Sequence, residues 1–499
     1  MKKIFVIILG LLVVGCLGIF LFRYYISSPN LNSNSRDDKL AGMHYSYFSQ
    51  PEFFNQAYSS AKSEVYEPNA KAILVNHHLL AGHFIAESFE VVATDSPVTV
   101  LLISPNHFSS GLAPIITSKY SWQTPFGISP ANTKLIDELE KNNLASVEEM
   151  PFEQEHGVSG IVPFIKKSLP NAKIVPVIFN DKLSLAQSLE AADKYFKILP
   201  ENVLLVGSFD FSHYLSSRAA DFHDLENLSD IESFNFNSLY KLDIDSRPGL
   251  AFFLELLKNY RAQQFNILEQ SNSSKLTKAD FLETTSYITG YFTNGEPKIQ
   301  GWNTLLSLGR VVPSGTLNKK IQLGMLKYLQ RLFYGQDNTF AFQTKTDGSI
   351  QPQEDITFIA DDQLIQPLGP LKVAILNCAG SEKFAIQAID RGADLAVCQS
   401  ASKNRVIFYK SKLVIYAAGD LLNDKLSELG QKSMAVGLAY KDDSLRVVLF
   451  PIANDKGELK LLVGAQSDIV LTEMANNSLI SPDLKKQILK GQLQLITNN

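Results

Sequence analysis

The sequence predicts two α/β domains that follow an N-terminal transmembrane helix. Three observations support this. An uncharged apolar run opens the chain, short strand-like runs alternate with helical segments in the first half, and a second series of strands begins near Thr304. Such alternation is typical of a mostly parallel sheet flanked by helices. A chain of 499 residues is also too long for one ordinary core.

The apolar run lies at 4–22 and follows two lysines. At about 1.5 Å per residue it covers about 28 Å, close to a bilayer core. We expect 1–26 to be an uncleaved anchor, with a lipoprotein cleaved before Cys16 or a cleaved signal peptide as alternatives. The lysines favour a single-pass cell-membrane protein whose domains are extracytoplasmic. A polar linker follows at 27–42.

The overall composition is that of a globular protein. With 45% hydrophobic residues and a formal net charge of -5, the chain gives no indication of nucleic-acid binding, which usually needs a basic face. Three cysteines are too few for a disulfide framework. Buried free thiols are the favoured interpretation, with a Cys378–Cys398 pair as the alternative.

The first domain, predicted at 43–295, contains four buried strands with helices between them. The strands are predicted at 72–75, 98–104, 172–179 and 202–208, and the helices at 132–142, 184–197 and 249–260.

Polar side chains follow three of these strands, and ligands of open parallel sheets bind beyond such strand ends. Glu155 and His156 precede another helix and can reach the same rim. The residues that follow the three strands are His77 and His78, His107, and Asp210 with His213.

Histidine is scarce, yet three of the eight lie in "NHHLLAGH". Neutral imidazole is the commonest metal ligand, and two histidines with one carboxylate leave positions open on Fe(II). We expect the site to take His77 from this stretch and its partners from other strand ends. His78 is then a neighbour, and His83 belongs to the scaffold.

Six segments in order resemble the Memo family, called AmmeMemoRadiSam system protein B in prokaryotes. They are "AILVNHH", "LLISPNHF", "TPFGISPAN", "EHGVSGIVPFI", "KIVPVIF" and "LLVGSFDFSHY", within about 70–292. The family's fold is similar to class III extradiol dioxygenases. The resemblance implies one divalent metal, iron with copper as the alternative, and redox or dioxygen chemistry on an unidentified small molecule. It also implies association with AMMECR-type and radical-SAM proteins.

The resemblance assigns His77 and His107 as metal ligands. The family often adds a cysteine in a Cys-Gly-x-x-Pro stretch. Here the comparable stretch is "LDIDSRPGL", in which Asp245 stands three residues before Pro248. Asp245 is therefore the expected third ligand, which gives a harder His/His/Asp site.

Four further residues match family segments and are expected to shape the site or transfer protons: Asp210, His213, His156 and Glu155. Each also has an ordinary alternative. A strand-end histidine can simply bond to the backbone, and Asp210 can cap a helix or turn.

The segment "GADLAVCQSASKNRVIFYKSKLVIYAAGDLL" resembles the CapA family of capsule and poly-γ-glutamate synthesis, which has a metallophosphoesterase-like fold. In this chain the family's histidine-rich stretch is replaced from Cys398 onward, and the family's Gly-Asp pair reads Gly309-Arg310. No histidine follows position 223. We expect a degenerate α/β domain at 300–470 without a dinuclear site, then a tail at 471–499.

The leading hypothesis is a membrane-anchored Memo-like protein with a mononuclear metal site. The competing hypothesis is a non-catalytic envelope protein that binds a metal or ligand, with the degenerate CapA-like domain binding a partner or polymer.

Overall fold

A computed structural model describes residues 42–62, 66–279, 283–298, 301–312, 339–343, 356–359, 363–378, 381–418, 422–423, 431–455 and 458–496. It confirms the mixed α/β class, and the described residues from His44 onward belong to one compact unit.

The first half contains twelve strands and nine α-helices among the described residues. In chain order they are β1 (Met43–Tyr45), α1 (Pro51–Ser60), β2 (Ala72–Val75), α2 (Gly82–Val91), β3 (Thr99–Pro105), β4 (Ile115–Thr117), β5 (Ser121–Thr124), β6 (Gly127–Ser129), α3 (Thr133–Lys141), β7 (Ser146–Val147), α4 (His156–Ser159), α5 (Val162–Ser168), β8 (Lys173–Phe179), α6 (Leu185–Phe196), β9 (Val203–Ser208), β10 (His213–Leu215), α7 (Ser217–Ser233), α8 (Arg247–Asn259), β11 (Gln264–Asn272), α9 (Ser273–Thr277) and β12 (Thr284–Thr293).

Nine of these strands form one sheet, whose order is β10-β12-β2-β9-β3-β8-β4-β7 with β11 paired to β12. The central strands β2, β9, β3 and β8 are parallel. Alternate residues of a strand point to opposite faces. Leu74 accordingly joins one apolar cluster while Ile73 and Val75 join another. Burial on both faces explains why these strands are continuous apolar runs.

The second half contains thirteen strands and three α-helices among the described residues. They are β13 (Asn303–Val312), β14 (Thr339–Gln343), β15 (Ile356–Ile359), β16 (Gln363–Leu368), β17 (Leu371–Asn377), α10 (Lys383–Asp390), β18 (Leu395–Ala401), β19 (Arg405–Tyr409), β20 (Lys412–Ala418), β21 (Leu422–Asn423), β22 (Gln431–Lys441), β23 (Ser444–Asp455), β24 (Glu458–Leu461), α11 (Gly464–Asn477), α12 (Pro482–Leu489) and β25 (Gln492–Ile496).

These strands form two sheets. One has eight strands in the order β15-β14-β13-β22-β23-β24, with β21 and β25 paired to β13 and β23. The other has five in the order β16-β17-β18-β20-β19. One apolar cluster draws Val436 from the first sheet and Val397 from the second, so the sheets share a core. The described residues of the expected tail form the end of α11, α12 and β25, and β25 pairs with β23.

The structure does not support the predicted transmembrane helix or the single-pass membrane location. Within the described ranges no helix is long and apolar enough to cross a bilayer. The apolar run at 4–22 lies outside those ranges. The longest described helix, Ser217–Ser233, carries acidic residues along its length and packs inside the protein.

The expectation of free thiols is wrong, because Cys378 and Cys398 form a disulfide. Strands β17 and β18 are neighbours, and the amide of Cys378 donates to the carbonyl of Gln399 at 2.8 Å. The two Cα atoms are therefore 5.6 Å apart, within the range that a disulfide needs.

Helix α7 joins the halves of the chain. Phe222 is fully buried, and its ring centroid lies 5.8 Å from that of Phe450. Arg218 donates to the Leu449 carbonyl at 2.9 Å and to Ser467 Oγ at 3.1 Å. The second half therefore packs against the helix that begins just after β10.

We expect Phe222→Ala to lower the free energy of unfolding by about 3–5 kcal/mol, because it leaves a cavity where the halves meet. Urea denaturation followed by circular dichroism measures the change. Phe384→Ala is the control, since that ring is 36% exposed, and should cost less than about 1 kcal/mol. Equal effects from both substitutions would contradict the packing described.

Candidate metal centre

Adjacent parallel strands bring the histidines together. Strands β2, β9 and β3 are neighbours in that order and end at Val75, Ser208 and Pro105. Their carboxyl ends lie at one edge of the sheet, so the residues that follow them meet there. His77 and His107 have ring centroids 4.9 Å apart, with the rings perpendicular.

His77 is buried and has a defined orientation. Its Nδ1 lies 3.2 Å from Ser208 Oγ, and that hydroxyl donates to the Gly157 carbonyl at 2.8 Å. A hydroxyl has one proton to donate, so Nδ1 of His77 must donate to it. In the neutral ring Nε2 then carries the lone pair. That atom lies 3.2 Å from Asp245 Oδ2 and 3.5 Å from Asp210 Oδ2.

Glu155 orients His107 as Ser208 orients His77. Its fully buried carboxylate accepts from His107 Nδ1 at 2.6 Å and from the His107 backbone amide at 3.0 Å. A carboxylate only accepts, so Nδ1 carries the proton. Nε2 of His107 is left as the lone-pair atom of the neutral ring, 3.8 Å from Asp245 Oδ2.

Asp245 comes from the segment before α8 and reaches both histidines. Its Oδ2 accepts from the Asp210 amide at 2.8 Å, and its own amide donates to the Asp210 carbonyl at 3.1 Å. Its Oδ1 is buried and has no hydrogen-bond partner among the described residues. A buried polar atom without a partner is costly, which suits an atom that binds a ligand.

His156 gives a second choice of donors. Its ring stacks on His107 at 4.1 Å and lies 5.2 Å from His77. Donor atoms of these three histidines lie within 4.8 Å of one another, as do those of His77, Asp210 and Asp245. His77 therefore belongs to both possible donor sets.

The carboxylates make this region favourable for a positive charge. Burial lowers the pKa of His107, but Asp245 and Glu155 outweigh it and raise the pKa to about 10. Burial likewise opposes a charge on His77, yet Asp210 and Asp245 raise its pKa. At Asp245 burial favours the neutral acid, but His77 and His107 hold its pKa well below the usual range.

The chemistry at His156 is different. Burial, followed by the neighbouring His77 and His107, lowers its pKa to about 4. It is therefore an uncharged ring at neutral pH, able to accept a proton or a hydrogen bond.

The remaining sequence candidates belong to neither donor set found among the described residues. His213 lies on β10 opposite Thr285 of β12 and lines a cavity of about 550 Å³ with His77, His107 and His156. Nδ1 of His78 is hydrogen-bonded to Tyr287 Oη at 2.7 Å. His83 lies in α2 with its ring 4.3 Å from that of Phe84.

The structure thus brings together all seven predicted site residues, although their ligand and catalytic roles stay predictions. Sequence reasoning missed Ser208, which fixes the orientation of His77, and Tyr47, which lines the cavity. Ser208 could have been found as the last residue of a predicted strand. Tyr47 lies well before the first predicted strand, so no sequence pattern marks it as a site residue.

Comparison with known proteins identifies the family. The Memo-like protein family matches residues 36–291. A MEMO1 family protein from Nitrosopumilus maritimus is 22% identical over 223 residues, 43% of this chain and 79% of that protein. One from Thermotoga maritima is 25% identical over 218 residues, 42% of this chain and 78% of that protein.

Similarity to solved structures is weaker. A single mutant of Vps29 from Entamoeba histolytica has a TM-score of 0.22 and 11% identity, covering 32% of this chain and 97% of its own. Vps29 from Chaetomium thermophilum has a TM-score of 0.23 and 11% identity, covering 32% and 94%. Both TM-scores are too low to support a conclusion about this chain.

The family match spans just over half of the sequence and includes all the residues of the candidate centre, so this chain belongs to the Memo-like protein family.

Proposed function

We propose that this chain is a metalloprotein in which His77, His107 and Asp245 hold one divalent metal ion, iron with copper as the alternative. The observation that carries the proposal is the orientation of the two imidazoles. Each Nδ1 is engaged by Ser208 or Glu155, which leaves each Nε2 beside the same carboxylate oxygen. Partners of this kind fix the ring and its tautomer in protein metal sites.

The donor set fits such an ion. Two imidazoles and one carboxylate are the ligands of non-haem iron sites that keep positions open for substrate. Among the described residues nothing hydrogen-bonds Oδ1 of Asp245, which also supports a ligand at this position. With aspartate in place of the thiolate of the family motif, the site is harder and better suited to iron.

When bound, the metal would supply redox or dioxygen chemistry on a small molecule yet to be identified, as the resemblance to the Memo family implies. His156 is uncharged and lines the cavity, so it is suited to accept a hydrogen bond from the substrate. Asp210 hydrogen-bonds the His77 amide at 3.1 Å and so holds the backbone of a ligand in place. His213 faces the same cavity and is suited to bind substrate.

The second candidate is a binding protein without turnover, and the second half of the chain favours it. On this proposal the part of the chain that contains the parallel strands β17, β18 and β20 is a degenerate CapA-like domain. The disulfide joins Cys378, just after β17, to Cys398 in the middle of β18, and the next residue, Gln399, donates to Ser307 Oγ at 2.7 Å. On this proposal the domain binds a partner or polymer.

Metal analysis of the purified full-length chain tests the metal site. We expect one equivalent of iron or copper in the wild type and loss of metal in the His77→Ala/His107→Ala double variant. His83→Ala is the matched control, since it removes a histidine from the same stretch but outside the donor sets. Absence of stoichiometric metal in the wild type, or its retention in the double variant, would refute the site.

Replacement of the proposed carboxylate ligand tests Asp245 directly. We expect Asp245→Cys loaded with Co(II) or Cu(II) to show a thiolate-to-metal charge-transfer band, because a cysteine there would bind the metal. Asp243→Cys is the control, as Asp243 lies two residues earlier and beside His223 instead, 3.7 Å away. The same spectrum from both variants would exclude Asp245 as a ligand.

Metal binding should also release protons. His107 has a pKa of about 10 and is protonated below it, so a metal that takes Nε2 must displace a proton. Affinity should therefore fall about tenfold per pH unit as pH drops from about 8 to about 6, for each proton displaced. Calorimetry in buffers of different ionisation enthalpy counts the protons, and a count of zero would contradict the charge state assigned to His107.

A further inference from the structure

We propose that the cavity beside the metal centre takes a small, uncharged aromatic compound, recognised by the rings of Tyr47 and Tyr214. The inference rests on the proposed function, because the polar end of the compound is to face the metal. Both tyrosines line the cavity of about 550 Å³ that contains the site histidines. A space of that size suits a compound of one or two rings.

The charges at the cavity argue for an uncharged ligand. Its lining contains no lysine or arginine among the described residues, and Asp210 is its one carboxylate there. A phosphate or carboxylate group would find no lysine or arginine in the described lining to bind. The carboxylates of Asp245 and Glu155 are paired with His77 and His107 and offset the charge of a divalent ion. An anionic ligand is therefore disfavoured.

Aromatic rings form one continuous wall of the cavity. The ring of Tyr47 lies 5.1 Å from that of Phe48 in an edge-to-face arrangement, and Phe48 lies 4.9 Å from Phe53. Tyr47 also lies 6.4 Å from His156, so the wall reaches the histidines. Tyr47 is nevertheless 56% exposed. The wall thus offers an open ring against which an aromatic ligand can pack.

Tyr214 provides the second ring. It follows His213 directly, and the pairing of β10 with β12 is irregular between His213 and Leu215. Its φ of 58° lies in the left-handed region, which is rare for a bulky side chain. The ring is 64% exposed, so burial does not offset this strain. Strained residues concentrate where a ligand is held, and bulges there redirect side chains.

Calorimetry on the metal-loaded full-length chain tests the proposal, with 2-naphthol and phenol as probes. We expect both to bind and cyclohexanol, which has the hydroxyl but no aromatic face, to bind more weakly. Benzoate and phenyl phosphate should also bind more weakly than phenol. Tyr47→Ala and Tyr214→Ala should each weaken 2-naphthol binding about three- to tenfold.

Control variants separate ring contact from general disturbance. Tyr47→Phe and Tyr214→Phe keep the ring and should bind 2-naphthol as the wild type does. Tyr214→Gly relieves the left-handed backbone yet removes the ring, so it should bind as weakly as Tyr214→Ala. Tyr66→Ala removes a ring that is 51% exposed and does not line the cavity, and should change nothing.

Failure of this inference can be told apart from failure of the proposed function. A chain that holds stoichiometric metal but binds 2-naphthol no better than cyclohexanol, or binds it equally in both alanine variants, overturns the inference alone. Tighter binding of benzoate or phenyl phosphate than of phenol also overturns it. A chain without metal that still binds 2-naphthol through both tyrosines supports the inference and refutes the metal site.

Discussion

The candidate centre depends on one buried carboxylate, that of Asp245. One of its oxygens lies within 4 Å of Nε2 of both His77 and His107, and the other has no hydrogen-bond partner among the described residues. The carboxylates of Asp245, Asp210 and Glu155 are buried close together, which is costly unless a positive charge lies among them. The carboxylates raise the pKa values of both histidines for the same reason. Either protons on the rings or a metal ion can supply the positive charge. The fold keeps this carboxylate in place through two backbone hydrogen bonds with Asp210.

The rest of the protein supports this arrangement. Parallel strands β2, β9 and β3 set the distance between the histidines, and Ser208 and Glu155 orient them. The second half of the chain contributes indirectly, since it packs against helix α7. Within that helix the buried Asp224 accepts from Ser212 at 3.3 Å, and Ser212 immediately precedes His213. A few short contacts therefore connect the place where the two halves meet with the backbone of the site.

Much of the centre could be predicted from sequence because it follows buried parallel strands. Runs such as "AILV" are apolar throughout, so both the strand and the polar residues that follow it are visible. Which strands become neighbours in a sheet is harder to foresee. The disulfide between Cys378 and Cys398 depends on β17 and β18 being adjacent. The backbone conformation of Tyr214 arises from its pairing with β12, a strand without a clear sequence pattern. Hydropathy alone led to the unsupported transmembrane helix, while the resemblance to the Memo family was confirmed.

The central claim is that His77, His107 and Asp245 bind the same ion, whereas the structure also offers His77 with His107 and His156. A crystal structure of the metal-loaded chain, with anomalous scattering recorded at the absorption edge of the bound metal, distinguishes these sets. We expect one anomalous peak about 2.0–2.2 Å from Nε2 of both strand-end histidines and from an oxygen of Asp245. A peak bound by His156 in place of Asp245, or no peak at this edge of the sheet, would contradict the claim.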